Sequence, residues 1–142
     1  MMTDRGQRGF TLIEMLIVVA ILGILAAILI PNFIRSRAAS QLAACQLDLR
    51  NIAAALQLFS GENETYPDAA SWESDLTTGG YIRGMPRSPI DGAAYVYATN
   101  AGRNNFVISD GPDKYQQAGI SGYIVYTPAG GLEVGLGSVP SP

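Results

Sequence analysis

From Met15 to Ile34 the chain carries no charged residue, a run of twenty positions that is mostly aliphatic. At about 1.5 Å of rise per residue such a helix spans roughly 30 Å, the thickness of a bilayer's hydrocarbon core. The run therefore predicts a single membrane-spanning segment over about residues 10–34, and everything after it must fold in water. One charge intrudes at its start: Glu14, four residues after Phe10 and just beyond a short leader that holds Arg5 and Arg8 and ends in Gly9. A carboxylate at membrane depth costs about 3 kcal/mol on insertion scales, so it marks a functional position whose counter-charge has to be found. Cutting the chain between Gly9 and Phe10 would create one, because a freed α-amine one helical turn before Glu14 is positive at neutral pH.

Gly9-Phe10-Thr11-Leu12-Ile13-Glu14, followed by an apolar helix, closely resembles the class III signal of type IV pilins and of the pseudopilins of type II secretion. The resemblance implies that a prepilin peptidase cuts after Gly9 and methylates the amine of Phe10. It implies also that Glu14 neutralises that amine on a neighbouring subunit during filament assembly, and that Gly23 and Pro31 are positions of helix flexibility. Two plainer readings compete. An ordinary secretory signal has a shorter apolar core of about 7–15 residues and a small-residue cleavage site, which Ser36-Arg37-Ala38 matches poorly. A simple anchor whose Glu14 snorkels to the interface accounts for the run but not for the leader. Arg5 and Arg8, offset by Asp4, face Arg35 and Arg37 across the span, so charge alone does not orient it. A cytoplasmic leader and a periplasmic head in the bacterial inner membrane follow from the resemblance.

With 142 residues there is room for one modest domain besides the membrane segment. The formal charge is −3, and removing residues 1–9 takes away Arg5, Arg8 and Asp4 and leaves −4. That balance gives no electrostatic footprint for nucleic acid. The chain has no histidine, which removes the commonest general base and metal ligand. Cys45 is the single cysteine and cannot form an internal disulfide. Many type IV pilins staple a C-terminal loop with two cysteines, so its lack favours a pseudopilin or an unstapled pilin.

Helical patterning continues past the membrane run. Leu42, Cys45, Leu49, Ile52, Leu56 and Phe59 recur every three or four residues, while Gln41, Gln46, Asp48, Arg50, Asn51 and Gln57 fill the other faces. Ser60-Gly61 reads as the stop, so residues 10–60 predict one helix of roughly 75 Å. Pro31 removes a backbone donor and crowds the carbonyl of Ala27, which predicts a kink or a locally opened turn there, and Gly23 weakens the helix further. Cys45 lies on the apolar stripe and reads as a small buried hydrophobe.

Residues 61–142 are predicted to form a globular periplasmic head, with a connecting region at 61–92 and a β-sheet at 93–137. Asp68 to Leu76 predicts a short capped helix closed by Gly79-Gly80, with Trp72 and Leu76 facing inward. Ala94–Thr99 and Phe106–Ser109 flank one hairpin loop, and Tyr123–Tyr126 and Leu132–Leu136 flank another. The fold class is thus α+β: a long N-terminal helix packed on a small antiparallel sheet of about four strands. The order Tyr66-Pro67, Gly80-Tyr81-Ile82, a proline-containing turn, then Tyr95-Val96-Tyr97 is similar to the major pseudopilins of type II secretion. Ser88 stands where that family commonly carries an acid, and Ile90-Asp91 replaces an aromatic.

Catalysis finds little support. No base stands ready for a serine or cysteine nucleophile, and Lys114, the only lysine, lies in a polar loop. Ser109-Asp110-Gly111-Pro112-Asp113 has a ligand-like look: Asp110 and Asp113 could offer hard oxygens to calcium, or could simply cap their own turn. Major pseudopilins resemble this segment in having a Gly- and Asp-rich calcium loop between strands, which makes calcium the one candidate cofactor. The expected function is that of a structural subunit of a pilus-like filament, a type II secretion pseudopilin working in the periplasm. Its expected partners are further copies of itself, other pseudopilins or pilins, prepilin peptidase, an inner-membrane assembly platform and membrane lipid. The alternatives are a type IV pilin of a surface fibre and a membrane-tethered binding module that does not polymerise.

Overall fold

A computed structural model of the chain describes residues 9–142, so positions 1–8 of the expected leader lie outside the described residues. The elements run α1 (Leu12–Asn63), α2 (Trp72–Thr78), β1 (Val96–Thr99), β2 (Phe106–Asp110), a 3-10 turn (Gln116–Ala118), β3 (Tyr123–Thr127) and β4 (Gly131–Leu136). The described residues divide into two units, one up to Arg35 and one from Ser36 to Pro142, and α1 contributes to both.

In the first unit the apolar run of α1 is bare. It contains a window of mean hydropathy 3.0 with none of its residues buried, and Leu12, Leu16, Ile24 and Phe33 are all at least 62 % exposed. The expected opened turn at Pro31 is not present: α1 continues unbroken through Gly23 and Pro31. The carbonyl that Pro31 leaves without its helical donor is that of Ala27. One residue on, the Asn32 side-chain amide adds a donor to the Ile28 carbonyl at 3.1 Å.

In the second unit the predicted stripe is the bed of the core. Cys45, Leu49, Ile52 and Leu56 are each 0 % exposed, with Leu42 and Phe59 packed beside them. Burying three large aliphatic side chains so completely contributes on the order of 5–9 kcal/mol. They meet a four-stranded antiparallel meander of order β1-β2-β3-β4. Its inward row includes Tyr97, Phe106, Ile108 and Ile124, and register pairs Tyr97 with Ile108 and Ile108 with Tyr126. Strand β2 is buried at every position. Aromatic rings extend the core, with Trp72 of α2 stacked on Tyr97 at 5.0 Å and Tyr66 edge-on to Phe106 at 4.7 Å.

Several boundaries differ from expectation, and α1 itself begins at Leu12 rather than Phe10. Helix α1 does not stop at Ser60-Gly61 but runs to Asn63, and Glu64 takes the left-handed turn at φ 61°. Contacts remote in sequence hold the extra turn, the Phe59 ring meeting Tyr81 at 5.4 Å and the Tyr81 hydroxyl donating to Glu62, and within the helix the Asn63 side chain donates to the Phe59 carbonyl. The predicted first strand also starts later, at Val96 rather than Ala94. Helix α2 forms, but over Trp72–Thr78 rather than from Asp68, and Ser71 at its N-terminus makes no side-chain cap bond. Trp72 and Leu76 are buried and Gly79 closes it before Gly80 at φ 77°, as expected.

Candidate functional site

The start of α1 brings three of the expected residues together. Gly9, Phe10 and Thr11 precede the helix and are exposed, Phe10 by 76 %, so the Gly9–Phe10 peptide bond lies in irregular, accessible backbone. Thr11 then forms a reciprocal capping box with Glu14. Its backbone N–H and hydroxyl both donate to Glu14 Oε2, at 2.8 and 2.7 Å, while the Glu14 N–H donates back to Thr11 Oγ1 at 3.3 Å. A carboxylate at a helix N-terminus is also favoured by the helix dipole. Glu14 is therefore held in place, with Thr11 as the residue that sequence reasoning missed. The spacing Thr-x-x-Glu was the available signal.

The second candidate, the loop after β2, centres on Asp110, which is 3 % exposed. Its Oδ2 accepts from the Ser88 hydroxyl at 2.7 Å, from the Tyr115 hydroxyl at 2.7 Å and from the Cys45 thiol at 3.8 Å. Its Oδ1 accepts from Lys114 Nζ at 2.7 Å and from the Gly111 N–H at 3.1 Å. Lys114 also reaches Asp91, 2.9 Å from Oδ2. Partial burial pulls the Lys114 ammonium down, but its bonds to the two carboxylates outweigh that and leave its pKa above the ordinary lysine value. The same bond to Lys114 holds Asp91 below the ordinary carboxylate value. Burial pushes the Cys45 thiol up to about 12, so it is inert rather than nucleophilic.

Asp113 does not join this cluster through any hydrogen bond. It is exposed, at φ 58°, and its Oδ1 accepts from the Gly122 N–H at 2.7 Å while its own N–H donates to the Gly122 carbonyl at 3.0 Å. Gly122 is required there: at φ 90°, an added Cβ would lie 2.2 Å from the Leu136 carbonyl oxygen. Asp113 thus closes the loop against the start of β3.

Residues 4–30 match the prokaryotic N-terminal methylation motif, the same stretch that holds Gly9, Phe10 and Glu14. The chain is 50 % identical over 65 residues to the type IV major pilin protein PilA of Myxococcus xanthus, covering 46 % of this chain and 30 % of the pilin. It is 32 % identical over 87 residues to type II secretion system core protein G of Pectobacterium carotovorum subsp. carotovorum, spanning 61 % of this chain and 56 % of that protein. Against core protein G of Dickeya chrysanthemi it is 31 % identical over 124 residues, 78 % of this chain and 80 % of the relative. The chain belongs to the family of type II secretion system core protein G, within the type IV pilin superfamily. As a member of that family it is a membrane-anchored protein, and the bare apolar run of α1 is its anchor.

Family resemblance implies calcium at the Asp110 loop, and the donor set does not fit it. Calcium takes about six to eight oxygen ligands. Here the Asp110 carboxylate already receives five donors, Ser88 and Tyr115 present hydroxyl hydrogens rather than lone pairs, and an ammonium stands between Asp110 and Asp91. Among the described residues, no three acids, cysteines or histidines are grouped to hold a metal ion. The pseudopilin head uses this loop as an internal lock: Cys45 of α1, Ser88, Tyr115 and β2 are tied through one carboxylate.

Proposed function

We propose that this chain is the structural subunit of a pseudopilus-like filament in type II secretion. A prepilin peptidase hydrolyses the Gly9–Phe10 bond and methylates the new amine, and processed subunits wait in the inner membrane with their heads in the periplasm. An assembly platform then extracts them so that the bare faces of α1 pack together. The observation that carries the reading is Glu14 fixed by Thr11 in the first turn of an apolar helix, directly after an exposed Gly9–Phe10 bond. A carboxylate so placed sets register. In the correct stagger it meets a neighbour's Phe10 amine, and in a wrong one it is left desolvated without a partner, which is costly. Gly23 and Pro31 supply the points where the helix yields as subunits pack, since one lacks a side chain and the other a backbone donor.

Intact-mass and N-terminal analysis of protein from its native membrane tests the first step. A chain beginning at N-methylated Phe10 is expected, and a start at Met1 overturns the reading. The 50 % identity to PilA supports a second reading, a surface pilin. Deleting the gene separates the two: a pseudopilin deletion stops secretion of exported proteins, whereas a pilin deletion removes surface fibres and leaves secretion intact.

A further inference from the structure

We infer that the ammonium of Lys114 is the loop's own cation, built into the chain in place of a bound metal, so that the pseudopilin head folds and keeps its loop closed without divalent ions. The loop between β2 and β3 faces a charge problem whichever way it is solved. Asp110 is buried in the last position of the central strand, and a buried carboxylate needs a positive neighbour as well as hydrogen-bond donors. A divalent ion meets that need by gathering carboxylate and carbonyl oxygens from several segments.

Here one side chain does the gathering. Lys114 Nζ lies 2.7 Å from Asp110 Oδ1 and 2.9 Å from Asp91 Oδ2, bridging the end of β2 to the segment that precedes β1. Its side chain is 18 % exposed, against 2 % for Asp110 and 45 % for Asp91, so the ammonium sits at the rim with its charge directed inward. Helical spacing does not produce the i,i+4 pair, since residues 111–114 are loop. The reversal between Gly111 and Tyr115 does, and the Tyr115 hydroxyl donates to the other Asp110 oxygen at 2.7 Å. Ser88 adds a third donor, where a metal would call for an acceptor. Gln41 Nε2 donates to the Pro89 carbonyl at 3.1 Å, which takes up a further oxygen of that segment. Both Asp110 oxygens and the Asp91 carboxylate are thus engaged by donors of this chain, and the positive charge among them is covalently attached.

The inference concerns the head alone and stands whether or not the chain polymerises. Its test uses the full chain in detergent micelles, with unfolding followed by the fluorescence of Trp72, the single tryptophan. Treatment with EGTA, then titration with CaCl2 into the millimolar range, is expected to move the unfolding midpoint by less than about 1 °C. A fall of several degrees in EGTA that CaCl2 restores overturns the inference. Lys114→Met keeps the alkyl stem and removes the charge, and it is expected to lower the midpoint by at least about 5 °C. The double variant Lys114→Met with Asp110→Asn, which removes both charges, should recover part of that loss. A Lys114→Met midpoint equal to the wild type overturns the inference. Should that variant fail to fold, the EGTA and CaCl2 comparison on the wild type decides alone.

Discussion

The two stretches of α1 solve opposite problems with the same backbone. Up to Arg35 the helix shows aliphatic side chains on every face and buries none of them, and its one acid is met only by a residue three positions away. From Ser36 onward, one stripe is fully covered, and the head's buried acid is met by donors from α1, from Ser88 and from the loop after β2. The contrast separates a provisional partner from a permanent one. Rotating the Glu14 side chain alone would free it from both Thr11 donors, whereas Asp110 cannot change partners without opening the core.

Substitutions at the two acids should break that contrast most sharply. Glu14→Val is expected to leave cleavage after Gly9 and the head's thermal midpoint unchanged while filament yield drops at least about tenfold, read by shearing and electron microscopy. Asp110→Ala should do the reverse to the head. Ser88 and Tyr115 lose their acceptor and Lys114 loses the inner of its two carboxylates, stability falls by about 3–5 kcal/mol, and the unfolding midpoint drops by roughly 10 °C or more in Trp72 fluorescence.

A smaller contrast lies within the packed part of α1. Leu56 is 0 % exposed and Leu58 61 %. Leu56→Ala should cost about 2–5 kcal/mol, and Leu58→Ala under about 0.5 kcal/mol in denaturant unfolding of the dispersed subunit. Leu58→Ala can still weaken the filament, which would place its side chain at a subunit contact.

pH sharpens the comparison without mutation. Burial raises Cys45 from 9.0 and Tyr97 from 10.0, each to about 12, and both groups are protonated in the fold. Their contribution is complete below the unfolded values and is lost as pH climbs through about 12. At the acid end Asp91 is held below 3.8, so its share is lost only as pH falls beneath that value. Head stability should therefore be level from about pH 5 to 9 and decline above it, in midpoints measured across that range. The smallest effect belongs to Thr11→Ala, which removes the helix cap at a cost of about 1 kcal/mol to the first turn, seen as faster amide exchange at Leu12–Met15.

What could be read from the sequence was what depends on near neighbours. The stripe from Leu42 to Phe59 repeats every three or four residues, and the strands are bracketed by turn formers, so both emerged with nearly correct bounds. Gly61 misled because its local preference to end a helix is overridden by Tyr81, twenty residues on. Asp110 misled for the same reason. Two acids around Gly-Pro look like metal ligands until residues 45, 88 and 115 turn their donors on one of them, and no local pattern announces that convergence. Lys114, four residues after Asp110, was the one nearby hint. The 3-10 turn at Gln116–Ala118 carried no signal beyond Gly119, which adopts φ 81° after it.

The single lysine has a practical corollary for labelling. Were residues 1–9 removed as proposed, the processed chain would hold two primary or secondary amines, one on Phe10 and one on Lys114. The second is clamped between two carboxylates. An amine-selective dye applied to dispersed subunits will therefore colour chiefly the N-terminus, and the same dye applied to assembled fibres becomes a direct gauge of how many N-termini remain outside the helical core.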